Sequence, residues 1–438
     1  EVRYPITSYL ISVAISNYEY YSDTYTAMNG DTMPLDYYLY PEEADWIVDG
    51  LSETRLMLEV LAPLFGEYPF IEEKYGMASF SWGGAMEHQT ISSMGSYGTV
   101  ITVHELAHQW WGDMVTCESW RDIWLNEGFA SYTEALYFEQ TLGEEAYFSH
   151  MNGMAYRGGG TVYVQDTTDW RNIFNGDLVY DKGAWVLHML RHVVGDSTFF
   201  DILLAYRDAY YMSTATTDDF RGVAEAVSGL DLEPFFRQWV YNSGVPNYNY
   251  CLWSDATEGG YETNVCVTQA QIPREGPLFV MPIDIRLSDD QGNDTTVTIQ
   301  NDVRDTVYTF ALEFRPSEVQ LDPENWILKT SQQIPSNLYQ DGCEYLTEFI
   351  LAENYPNPFN PGTNLSFTIP AGNHVTGVIY NVRGQQVATL VDEYKMPAQY
   401  TYYWNGTNDR GEQVGSGVYF FRLRAGDQVR TQKLMLIR

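Results

Sequence analysis

Basic residues are scarce in this chain: 24 lysines and arginines stand against 59 aspartates and glutamates, a formal net charge of −35 over 438 residues. That balance argues against a nucleic-acid binder, which needs a basic footprint, and it favours solubility outside the cell. No run of 18 apolar residues occurs, so no transmembrane helix is expected. Cysteine is almost missing too. The four present, Cys117, Cys251, Cys266 and Cys343, include no C-x-x-C pair, which removes the usual thiolate zinc and redox motifs. Cys251 and Cys266 flank a turn-rich stretch between two strand-like runs. A cross-hairpin disulfide and two free thiols both fit there, because spacing alone does not fix disulfide geometry. A signal peptide and an initiating methionine are also lacking. VRYPITSYLISVAI reads as strand from the first residues, and a strand needs neighbours. The expectation is the remainder of a longer precursor, whose missing part held any export signal.

What is present divides the chain into stretches of different period. Residues 1–20 read as strands, and the Tyr- and Asp-rich stretch to about Asp49 as an irregular connection. Leu56, Leu58, Val60, Leu61 and Leu64 recur at helical spacing and predict a helix from Leu51 to Phe65. KYGMASFSWGGAMEHQTI reads as a strand with a glycine-interrupted segment. Helical patterns dominate from Val100 to about Ser228: Val103 to Trp111, Asn126 to Leu142 closed by Gly143, and Lys182 to Val194 closed by Gly195. Alternation then takes over from Asn247 to Lys329, as in TVTIQ and TVYTFALEF, and predicts an all-β module. A polar linker, SQQIPSNLYQDG, leads to a last module of short strands separated by VRG, NDRGE and GSG turns, which reads as a small β-sandwich.

The strongest chemical signal is His104-Glu105-Leu106-Ala107-His108. On a helix, positions i and i+4 share a face, so both imidazoles can reach one metal ion, and Glu105 can serve a water there as general base. Glu127, in WLNEGFA, follows His108 after eighteen residues and opens a second helix. Two histidines and one glutamate leave a fourth zinc position free, as a catalytic site needs. Glu134, seven residues further on the same helix, can orient a zinc histidine or simply face solvent. Trp110 and Trp111 read as packing residues. His150, His188, His192 and His374 lack ligand spacing and read as structural or exposed.

HELAHQWWG followed by WLNEGFA at this spacing resembles the aminopeptidase N family of gluzincins, over about residues 1–245. Residues 83–87, Gly-Gly-Ala-Met-Glu, match the family's exopeptidase motif GAMEN through its glutamate. By that resemblance Glu87 binds the free α-amino group of the substrate, and Gly84 and Ala85 offer it backbone groups. His88 stands where the family usually has asparagine, a departure that bears on local hydrogen bonding and the first-residue pocket. VYDKGAWVLHML resembles the family's Tyr-Glu-Lys-Gly stretch, which implies that Tyr180 donates its hydroxyl to the tetrahedral intermediate. Two family parts are not visible: most of the N-terminal β domain, with its amine-holding loop, and the large C-terminal helical domain. A more open cleft is expected. ENYPNPFNP, NVRGQQVATL and WNGTNDRGEQVGSGVYFFRL resemble the C-terminal sorting domain of type IX secretion substrates, an Ig-like fold, over about 351–438.

The resulting expectation is a multidomain α+β protein. A thermolysin-like, mostly helical catalytic domain over 21–245 follows the last strands of an N-terminal β domain over 1–20. A β-sandwich over 246–330, a linker over 331–350 and the sorting domain over 351–438 complete it. The expected function is zinc-dependent removal of N-terminal residues from peptides with a free N-terminus, with one zinc per chain. Type IX machinery would deliver the protein to the medium or cell surface. Two rivals stay open: a zinc endopeptidase with an open cleft, and a non-catalytic surface binding protein on a peptidase scaffold.

Overall fold

The computed structural model describes residues 3–271, 278–336, 349–369, 373–395, 398–426 and 428–437. The chain packs as two compact units. The first takes in the chain to Pro246, a return ending at Val303, and Val319–Thr330. The second takes in the chain from Asn247, Arg304–Glu318, and everything described from Ser331 on.

The first unit departs at once from expectation. Residues 3–18 hold a 3-10 turn at Ser8–Leu10 and no strand. Ile11, Val13 and Ile15 are 59%, 82% and 90% exposed, so the apolar alternation of ISVAI finds no sheet to join. The Tyr- and Asp-rich stretch is not irregular either. It forms the antiparallel hairpin β1 (Glu19–Thr26) and β2 (Thr32–Leu39), followed by helix α1 (Pro41–Ile47). Met33, Leu35, Tyr37 and Leu39 of β2 point inward at period two. Helix α2 (Ser52–Phe65) forms as predicted, but it buries Met57, Leu58, Leu61, Ala62 and Phe65 and leaves Leu56 exposed. Strands β3 (Tyr75–Ser79), β4 (Ala85–Met86) and β5 (Ser92–Met94) complete a sheet in the order β1-β2-β3-β5-β4, so β4 lies at its edge.

Helices then carry the chain. They are α3 (Thr99–Ala107), α4 (Trp124–Leu142), α5 (Glu144–Gly153), α6 (Trp170–Ile173), α7 (Gly183–Val194), α8 (Asp196–Ala209), α9 (Thr217–Ser228) and α10 (Glu233–Phe236). A short parallel pair, β6 (Val115–Cys117) with β7 (Ser213–Ala215), lies among them. Gly143 and Gly195 close α4 and α7 at φ of +93° and +82°, as the sequence predicts. Trp110, Trp111, Trp124 and Trp185 are all buried in this unit. Among the described residues no helix is long and apolar enough to cross a membrane.

After a π-helical turn at Arg237–Tyr241, the regular elements among the described residues are all strands. Strands β8 (Asn247–Thr257) and β9 (Gly260–Gln269) pair as a hairpin with Cys251 directly opposite Cys266. The structure joins the two as a disulfide, Cα atoms 5.1 Å apart. Strands β10 (Met281–Ser288), β11 (Asp294–Asn301), β12 (Asp305–Leu312), β13 (Glu318–Leu321) and β14 (Thr330–Gln333) follow. They sort into the sheets β11-β10-β13 and β12-β9-β8-β14. Ser331–Gln333, the first residues of the predicted linker, thus belong to a strand, and its last, Ile350, opens another; residues 337–348, with Cys343, lie outside the described residues.

The C-terminal strands are β15 (Ile350–Leu351), β16 (Thr363–Ile369), β17 (Asn373–Asn381), β18 (Gln386–Lys395), β19 (Ala398–Trp404), β20 (Gly417–Ala425) and β21 (Gln428–Leu436). They form the sheets β15-β16-β19 and β18-β17-β20-β21. Leu365, Phe367, Ile379, Phe421, Leu423 and Leu434 of both sheets meet in one apolar core.

Candidate metal centre

Helix α3 presents Val103, Leu106 and Ala107 to the core, which turns His104 and His108 to one side, a helical turn apart, their ring centroids 4.7 Å from each other. The chain reverses immediately after His108. Gly112 makes that reversal at φ of +146°, where a Cβ would sit 3.1 Å from His108 Nδ1. Helix α4 then brings Glu127 in its first turn and Glu134 two turns later.

Each histidine uses Nδ1 as a donor. His108 Nδ1 lies 3.0 Å from the Trp111 carbonyl, and His104 Nδ1 lies 2.8 Å from Glu134 Oε1. That fixes both tautomers and leaves both Nε2 lone pairs directed inward. The two Nε2 atoms are 3.1 Å apart, and Glu127 Oε2 lies 3.4 Å from His104 Nε2 and 3.2 Å from His108 Nε2. Among the described residues these three side chains form a group able to hold a metal, with donor atoms all within 4.8 Å of one another. Tetrahedral zinc with bonds near 2.0–2.1 Å separates its nitrogen ligands by roughly 3.3 Å, so the donor set fits that ion.

The electrostatics lead to the same place. Burial alone would push His104 and His108 down. Glu127 and Glu134 outweigh it at His104, which is held well above the usual histidine range, and Glu87 and Glu127 raise His108 to about 9. Glu127 is driven down to about 2: burial opposes ionisation, but the two histidines overcome it. The carboxylates therefore demand positive charge between them. Two N–H groups cannot face each other at 3.1 Å, so a metal ion meets that demand better than two protons.

Glu105 is buried beside this centre, and its Oε2 has no hydrogen-bond partner among the described residues. Burial pushes its carboxyl up to about 7, against the pull of His104 and His108 and with Glu87 and Glu127 adding to the rise. Glu87 directly follows β4 and is 7% exposed. Burial and then the charge of Glu127 raise its pKa, while His108 lowers it. Ala85 sits on the edge strand itself, opposite Met94 of β5, and Gly84 precedes it at φ of +89°. His88 directs Nδ1 to Ser93 Oγ at 2.9 Å. Tyr180 lies in a π-helical stretch, Gly176–Lys182, with its ring stacked on His104 at 5.9 Å. Burial and the charges of Glu127 and Glu87 hold its phenol far above the usual range.

The structure thus brings His104, His108 and Glu127 to one point, with Tyr180 stacked on His104, Glu105 acting on His104 by its charge, and Glu87 close enough to perturb Glu105, His108 and Tyr180. It settles Glu134 as a partner of His104. It also adds His150, set aside on sequence, whose Nε2 lies 2.9 Å from the other oxygen of Glu134. His150 comes from α5, and nothing in its spacing from the motif announces it.

Two histidines one turn apart, a glutamate between them and a glutamate from the next helix define the gluzincin class of metallopeptidase site. Residues 84–239 match the peptidase family M1 domain, and 353–437 match a secretion system C-terminal sorting domain. Aminopeptidase N of Streptomyces lividans is 30% identical over 273 residues, 55% of this chain and 31% of that protein. Aminopeptidase M1-B of Oryza sativa subsp. japonica is 34% identical over 186 residues, 40% of this chain and 21% of that one. The chain therefore spans a third or less of these relatives. Among solved structures, Legionella pneumophila aminopeptidase A in complex with aspartic acid shares the fold with a TM-score of 0.63 at 17% identity, covering 72% of this chain and 38% of its own. A two-domain M1 zinc metallopeptidase variant bound to L-tryptophan has a TM-score of 0.50 at 28% identity, covering 54% of this chain and 55% of its own. Over these residues the chain is similar to M1 peptidase domains of aminopeptidase N and its relatives, and at its C-terminal end to secretion-system sorting domains.

Proposed function

We propose that the protein is a zinc-dependent aminopeptidase. The observation that carries this reading is the convergence of two imidazole Nε2 atoms and the Glu127 carboxylate, in reach of the charge of a buried Glu87. The aminopeptidase names of its relatives support it. His104, His108 and Glu127 hold one zinc ion per chain. Zinc there supplies Lewis acidity, polarising the scissile carbonyl and lowering the pKa of water at the open position. Glu105 takes the proton of the attacking water on its free Oε2 and passes it to the leaving amine; a carboxyl raised toward neutrality suits both transfers. Tyr180, kept protonated by burial and its carboxylate neighbours, donates to the oxygen on which negative charge develops. Glu87 pairs with the substrate ammonium and so measures one residue back from the scissile bond. Gly84 and Ala85, at the sheet edge, offer backbone groups to an extended peptide.

In this reading 21–245 is a thermolysin-like, mostly helical catalytic domain and 246–330 a β-sandwich. The sorting domain over 351–438 engages type IX machinery for release or surface display. A panel of aminoacyl-arylamides assayed with and without chelator tests the activity. Arylamine release should stop on chelation and return with added zinc. Release that ignores chelator, or zinc-loaded protein that releases nothing, removes the assignment.

A further inference from the structure

Gln109 follows the second histidine of the metal motif and is fully buried. Both ends of its amide are engaged. Oε1 accepts from the Thr90 backbone N–H at 2.9 Å and faces the Tyr68 hydroxyl at 3.1 Å. Nε2 donates to Asp113 Oδ2 at 2.6 Å and to the Glu87 carbonyl at 3.4 Å. Two of these partners are backbone groups of one short loop, from Glu87 to Thr90. Within it Thr90 has φ of +65°, a left-handed conformation that a β-branched residue takes only when its surroundings impose it.

We propose that Gln109 is the positioning residue that fixes the distance between the metal centre and the Glu87 carboxylate. The inference rests on the reading of Glu87 as the amine anchor and says what holds that anchor in register. The link is short. Gln109 is one peptide bond from His108, and its amide grips the loop on both sides of His88 through Glu87 and Thr90. Asp113 and Tyr68 fix the amide from behind, so it cannot turn over without stranding a buried donor or acceptor. Without the amide the loop can leave its left-handed turn, and Glu87 loses its set distance. The metal donors are held separately, by Glu134 and the Trp111 carbonyl, and stay in place. The consequence is one-sided: a ligand that uses both the metal and Glu87 loses affinity, and a ligand that uses the metal alone does not.

Two hydroxamates test this on the full zinc-loaded chain: leucine hydroxamate, and the same molecule without its α-amine. The wild type should prefer the amine by about tenfold or more, and Gln109→Met should cut that preference to about twofold. Zinc affinity, read by competition with a chromophoric chelator, and binding of the amine-free hydroxamate should stay within about threefold of wild type. In a Glu87→Gln background, Gln109→Met should change the ratio no further, since it acts through that carboxylate. Tyr68→Phe removes only the hydroxyl that fixes the amide from behind; it should give the same one-sided loss at about threefold, and it decides the matter where Gln109→Met does not fold. An undiminished preference in the variants, or equal weakening of both hydroxamates, overturns the inference while leaving the aminopeptidase reading standing. A wild-type protein with no preference overturns both.

Discussion

Glu105 is the residue whose environment most constrains its role. It is a buried carboxyl with a free oxygen, poised near neutrality by burial and two neighbouring carboxylates. It touches neither metal-donor Nε2 atom through a hydrogen bond, so its loss should leave the metal in place. Glu105→Gln should keep full zinc content and lose on the order of a thousandfold or more in kcat, because an amide cannot take up the proton. Metal analysis and arylamide kinetics on the same preparation check this. A variant within roughly tenfold of wild type would assign the proton transfers elsewhere. Around it, the carboxylates of Glu127 and Glu134 set the two histidines, and Glu134 is itself held by His150. His104 is thereby oriented from both sides of its ring.

At the scale of elements, the site depends on how closely α4 and α7 cross. Gly128, beside Glu127, and Gly183, three residues after Tyr180, meet at the crossing. A Cβ on Gly128 would lie 2.9 Å from the Gly183 backbone, and one on Gly183 would lie 3.0 Å from Gly128 Cα. Gly128→Ala should therefore force the helices apart, destabilise the fold by about 1–3 kcal/mol and draw Tyr180 away from His104. A lowered melting temperature with a fall in kcat is the expected result; an unchanged melting temperature would show that the crossing tolerates a methyl group. This contact was beyond sequence reading, although both ends were visible. WLNEGFA and VYDKGAW each hold a residue of the proposed site, and the pairing of their glycines is a fact of packing. What was legible was local. The His104 and His108 spacing, the eighteen-residue step to Glu127, and the helix ends at Gly143 and Gly195 all follow from helical period and capping. The β1–β2 hairpin was hidden because Asp and Tyr fill its outward positions, although Met33, Leu35, Tyr37 and Leu39 alternate beneath them. ISVAI failed in the opposite sense: it has strand period without a partner. His150 joins the site only through Glu134, a contact between neighbouring helices that no motif encodes.

At the scale of the whole molecule, the acid excess is uneven. Residues 353–437 carry seven lysines and arginines against six aspartates and glutamates, so the whole acid excess belongs to the rest of the chain. The C-terminal core is also its own: every residue in it, from Phe349 to Leu436, lies at or beyond Phe349. Truncation before Phe349 should accordingly leave arylamidase activity intact and abolish delivery to the medium or cell surface in a host with type IX secretion. Normal delivery of the truncated chain would make the C-terminal domain an appendage. The central claim, that this is an aminopeptidase, turns on Glu87. A carboxylate desolvated to receive an ammonium is left unpaired when the substrate amine is acetylated, a loss of about 2–5 kcal/mol. The direct measurement is kcat/KM for one arylamide substrate with its amine free and acetylated. The free amine should win by at least roughly thirtyfold in wild type, with the gap narrowing in Glu87→Ala. Equal rates on the two, with internal cleavage of acetylated peptides, would contradict the account and make the protein an endopeptidase.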